Sequence, residues 1–151
     1  MKGTESIDLH FDLPENAADI WRALTEPALL EAWLMPNDIK PVVGHHFTYR
    51  NKPIGDWDGI AYCEVTEVVP EEKLQYAWRS KKDPVTGEYN MDTLLTFTLS
   101  SNPQGGTHMH LLHEGFEAGD FALHAMGQGW ASKTVSRIGA VLRGEALESR
   151  C

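Results

Sequence analysis

The chain has 151 residues, 42% apolar and 23% charged, with a formal charge of −9. This size suits one domain over residues 1–151 that buries most of its unfolded surface without disulfide staples. The acidic balance excludes nucleic acid and anionic membrane surfaces as partners, because both require clustered Lys and Arg.

SIDLHFDL opens the ordered chain with strict alternation. Ile7, Leu9, Phe11 and Leu13 share one face, and Asp8, His10 and Asp12 share the other, which predicts a half-buried strand. PENAADIWRALTEPALLEAWL then changes to helical spacing, with Ile20, Trp21 and Leu24 in one stripe and Leu29, Leu30, Trp33 and Leu34 in a second. Pro27 interrupts the pattern, so two short helices meeting at Glu26-Pro27 are expected.

GHHFTYR alternates with Phe47 and Tyr49 on one side, and NKPIGDWDG has the composition of a loop. GIAYCEVTEVV is β-rich, but its facing is left open because a bulge can swap it midway. After a tight turn at VPEEKL, LQYAWR places Leu74, Tyr76 and Trp78 on one face. KKDPVTGEYN is a polar hairpin loop, and MDTLLTFTLS directs Met91, Leu95, Phe97 and Leu99 inward. In THMHLLHEGF, Met109 and Leu111 mark the inner face, so His113 points inward and His108 and His110 outward, with Glu114 expected to end the strand. From Gly119 to about Leu142 the period is helical. Asp120 is the expected cap, and Leu123, Met126, Trp130, Ile138, Val141 and Leu142 lie near one face. The fold class is therefore α+β, an antiparallel sheet covered on one side by a long C-terminal helix.

The stretches IWRALTEPALLEAWL, GHHFTYR, VTEVVPEEKLQYAWR, TFTL, GGTHMHLLHEGF and the GW of the last helix occur in this order. As an ordered set they resemble the AHSA-like family (activator of heat-shock-protein ATPase homologues) of the START-like, or SRPBCC, superfamily. That resemblance implies a helix-grip fold, in which a curved sheet wraps the C-terminal helix and leaves room for an apolar cavity. It also implies that the last strand pairs with the first. The chaperone activators carry a further N-terminal domain, whereas residues 1 to 6 are all that precede the first strand here. The leading expectation is accordingly a domain binding a small apolar or aromatic molecule. The alternatives are a partner of a heat-shock chaperone that raises its ATPase rate, and a cyclase- or hydrolase-type enzyme.

Phe47, Tyr49, Tyr76, Trp78, Leu95 and Phe97 from the strands, with Met126 and Trp130 from the helix, are the expected cavity lining. Tyr62 is a further polar contact, and Trp33 and Met35 close the opposite end. His113 is the candidate catalytic residue, as polar anchor or general acid/base, although a buried imidazole is more commonly a satisfied core residue. His124 is placed near the cavity mouth.

On the outer face, the spacing of His108 and His110 suits metal chelation, and strand pairing would bring His10, Asp8 and Asp12 beside them. Solvated polar residues are the commoner outcome on such a face. No cofactor is implied. Gly127-x-Gly129 lies inside a helix and is no phosphate loop, and Gly-x-Ser-x-Gly, Cys-x-x-Cys and His-Glu-x-x-His are all absent. Cys63 lies in an apolar strand and Cys151 is the last residue, so no structural bridge is expected. MKGTESIDLHF lacks a signal-peptide core, and a cytoplasmic protein is expected, either monomer or homodimer.

Overall fold

The computed structural model describes residues 4–52, 59–82, 89–117 and 121–144. The elements follow as β1 (Thr4–Leu13), α1 (Ala17–Thr25), α2 (Pro27–Trp33), β2 (His46–Arg50), β3 (Ile60–Val69), β4 (Lys73–Lys82), β5 (Tyr89–Ser101), β6 (Thr107–Glu117) and α3 (Phe121–Leu142). The strands form one antiparallel sheet in the order β1-β6-β5-β4-β3-β2. Strands β2 to β6 pair with their neighbours in sequence, and β1 closes against β6. Helix α3 packs on β1 and against α1 and α2. This is the helix-grip arrangement, and no helix among the described residues is long and apolar enough to cross a membrane.

Local chemistry explains the element boundaries. Asn16 caps α1 by accepting the Asp19 N–H at 2.8 Å. Pro27 is the first residue of α2, and it holds Glu26 extended at φ −91°, ψ 121°, which separates the two helices. The facing left open in β3 is resolved by a register shift between Val65 and Glu67. Ala61, Cys63 and Val65 are buried before it, and Val68 packs on the core after it, so the inward set changes from odd to even positions.

Two expectations are corrected. β6 does not end at Glu114: Gly115, at φ 99°, absorbs an extra residue opposite Glu5 and Ser6, and the strand continues through buried Phe116 to Glu117. Tyr62 lies on the opposite face from Ala61 and Cys63, paired with Thr48 and Arg79, and therefore outside the sheet–helix interior. Gly106 is required for another reason, since a Cβ there would stand 2.0 Å from the Leu13 carbonyl oxygen. Residues 53–58 and 83–88, within the stretches expected to be loops, Asp120, the side chains of Leu123 and His124, and Cys151 lie outside the described residues.

Candidate functional site

A half-open cavity of about 280 Å³ lies where α2, α3 and β4 meet. Trp33, Leu34 and Met35 contribute from the end of α2, Trp78 from β4, and Met126, Gly129, Trp130, Lys133, Thr134 and Arg137 from α3. The α3 residues recur at intervals of three, one, three, one and three, which is one stripe of an α-helix.

The indoles of this wall are held from behind. Trp33 donates its N–H to the Ala23 carbonyl at 2.8 Å, tying α2 to α1. Trp130 donates its N–H to Nδ1 of His113 at 3.3 Å. Trp78 stacks on Tyr49 with ring centroids 4.8 Å apart and meets Trp130 edge-on at 6.2 Å. The polar handles of Trp33 and Trp130 are thus used inside the protein, and the surface they present to the pocket is apolar.

His113 points inward and is fully buried. Thr93 Oγ1 donates to the Trp78 carbonyl at 2.7 Å and lies 2.8 Å from His113 Nε2. With the threonine proton already used, Nε2–H of the imidazole donates to Oγ1, and Nδ1 accepts from Trp130. This arrangement satisfies the neutral Nε2–H tautomer completely. Burial lowers the His113 pKa to about 3, for want of any solvent around the charged form.

A second polar pair lies deeper. The Tyr49 and Tyr76 hydroxyls are 2.7 Å apart, and burial first of all pushes both phenols well above their usual range. Phe47 packs edge-on against both rings, and Phe97 lies 6.5 Å from Tyr76. Cys63, also buried, has its thiol pushed up chiefly by desolvation, which keeps it protonated and unreactive.

A family model described as "Activator of Hsp90 ATPase homolog 1-like protein" (AHSA1) matches residues 15–143. The chain belongs to the AHSA1 family. Among solved structures, the AHSA1-family chain is similar to protein MLL2253 of Mesorhizobium loti at 32% identity, with a TM-score of 0.78 over 95% of this chain and 100% of that one. Two more distant structures share the fold. One is BH1534 of Bacillus halodurans, at 23% identity and a TM-score of 0.73 over 94% of this chain and 99% of that one. The other is the Aha1 dimer of Colwellia psychrerythraea, at 19% and 0.74 over 94% and 99%. None of the curated proteins matches the chain.

Of the residues expected to line a cavity in this AHSA1-family chain, Trp33, Trp78, Met126 and Trp130 do so, as does Met35. Phe47, Tyr49, Tyr76, Leu95, Phe97 and His113 are buried and do not line this cavity. His113 accordingly acts as a positioning residue for Trp130 and does not border the pocket. Lys133, Thr134 and Arg137 were missed because the α3 stripe was read for apolar residues alone. Their spacing from Trp130 was the available signal. His10, His108 and His110 stand on the outer face of the sheet, away from the pocket.

Proposed function

We propose that this domain binds a small molecule with an apolar ring body and an anionic group. The observation that carries this reading is a pocket walled by three tryptophans and two methionines, with Lys133 and Arg137 one helical turn apart on its α3 side. Among the described residues neither cation enters an ion pair, although the chain as a whole is strongly acidic. Lys133 is exposed and Arg137 half-buried, so the cationic end is the outer one. A volume of about 280 Å³ suits one compact ring system rather than a lipid chain. Burying about 200 Å² of such a ligand is worth roughly 5 kcal/mol before ordering costs, which supports binding no tighter than about the millimolar range.

Naphthalene-2-carboxylate and its uncharged amide are suitable probes. The acid is expected to shift the amide resonances of Met126, Gly129 and Lys133 and to bind more tightly than the amide. Lys133→Ala/Arg137→Ala should erase that preference while leaving the amide's affinity unchanged. If neither probe, nor a wider set of aromatic acids, perturbs those resonances, the binding reading is wrong.

The family description supports a second reading, a chaperone-directed role, and one structural neighbour is itself described as an Aha1 dimer. This reading expects the chain to raise the ATPase rate of an Hsp90-type chaperone. An unchanged rate at saturating protein excludes it.

A further inference from the structure

We propose that Asp8, His10 and His110 form a binding site for a zinc-class divalent ion on the outer face of the sheet, remote from the pocket. The β1–β6 register sets His10 directly opposite His110 and Asp12 opposite His108. The His10 and His110 rings stack with centroids 4.3 Å apart and planes 2° from parallel. Both Nε2 atoms turn to the same carboxylate oxygen: Asp8 Oδ1 lies 3.4 Å from His10 Nε2 and 2.7 Å from His110 Nε2. The three ligand atoms all fall within 4.8 Å of one another. Around an ion with bonds of about 2.0–2.2 Å, such atoms stand roughly 3–4 Å apart, so binding tilts the two stacked rings toward one point beside Asp8.

With the rings neutral, the hydrogen bonds turn the His10 Nε2 lone pair toward Asp8. His108 Nδ1 is 3.1 Å from Asp12 Oδ1, and a carboxylate only accepts, so Nδ1 carries the proton. The neutral His108 ring then accepts at Nε2, which lies 3.0 Å from His10 Nδ1, so His10 donates from Nδ1. Neutral His10 is left with its Nε2 lone pair beside the Asp8 oxygen, two acceptors facing one another. A metal ion between them replaces that repulsion with two bonds, while His110 supplies a third when its proton moves to Nδ1. The chain Asp12–His108–His10 is an outer-shell relay of the kind that fixes the tautomer and orientation of a metal-bound imidazole.

Two imidazole nitrogens and one carboxylate oxygen select zinc, nickel or copper(II) over magnesium or calcium. The acidic charge of the chain favours any cation at this surface. The sheet face leaves the remaining coordination positions open to water. The bound ion would also clasp the edge strand β1 to β6, and so raise the unfolding temperature.

The test is calorimetric titration of the full chain with Zn²⁺, paired with thermal unfolding. One saturable site per chain of micromolar affinity is expected, together with a higher unfolding midpoint. Asp8→Asn, which preserves shape, should weaken binding about tenfold, and so should His108→Ala, which removes only the relay. His10→Ala/His110→Ala should abolish binding while leaving the circular dichroism spectrum unchanged, and His46→Ala, on distant β2, should leave binding intact. Absence of saturable binding at millimolar Zn²⁺, or binding undiminished in His10→Ala/His110→Ala, overturns the proposal.

Discussion

The Trp130 indole N–H bonds to His113 Nδ1 at 3.3 Å, so a ring that walls the pocket is oriented by a histidine that never reaches it. His113→Phe keeps the ring volume but removes the acceptor and strands a buried indole donor. We expect a loss of about 1–3 kcal/mol in urea unfolding and an altered near-ultraviolet tryptophan signal. His113→Gln, with one acceptor and one donor to offer Trp130 and Thr93, should cost less. Equal stability of His113→Phe and the parent would show that the bond contributes nothing.

The same histidine makes stability depend on acid. Its folded pKa is lowered from 6.5 to about 3, so between those values the unfolded chain binds a proton that the folded chain refuses. Protonation therefore favours unfolding, and the contribution is complete above pH 6.5 and declines as pH falls toward 3. The slope reaches about 1.4 kcal/mol per pH unit for one such group. Urea midpoints measured down this range should fall more steeply for the parent than for His113→Gln. Parallel slopes would place the acid sensitivity elsewhere.

Gly129 faces the pocket, and a Cβ there meets nothing within 4 Å. Gly129→Ala should raise stability by about 0.5–1 kcal/mol through the helix-interior effect alone. Gly129→Leu should preserve folding and fill the pocket, abolishing binding of the naphthalene probes. Thermal midpoints and probe titrations read the two effects separately. A stable Gly129→Leu variant with unimpaired probe binding would place the probes outside this pocket.

The Tyr49 and Tyr76 hydroxyls, 2.7 Å apart and both fully buried, are each other's partner. Tyr49→Phe or Tyr76→Phe alone leaves one buried hydroxyl without its partner and should cost about 1–3 kcal/mol. The double replacement removes both polar atoms and should be less destabilising than the sum of the single changes. Additive losses would mean that the two hydroxyls are not coupled.

Some of this was legible along the chain because it depends on local periods. His113 inward and His108 outward followed from alternation in THMHLLHEGF, and the α1–α2 break followed from Pro27. Positions where one residue disturbs the period were harder to read. The Val65–Glu67 shift reverses the facing of β3 midway, and Gly115 carries β6 beyond its expected end, because a bulge is set by what the partner strand offers. Tyr62 was misassigned in the same strand, where composition alone gave no facing.

Sequence by itself determined which residues are inward or outward on most strands, the two short helices, and the single stripe of α3. All of these depend on the backbone period of a few neighbouring residues. Tertiary structure alone decided that Trp33, Trp78 and Trp130 border the cavity while the buried tyrosines and His113 do not, because a cavity is the volume left over between elements distant in sequence. It likewise decided that His10 stacks on His110, since that meeting requires the register of β1 on β6, about a hundred residues away along the chain.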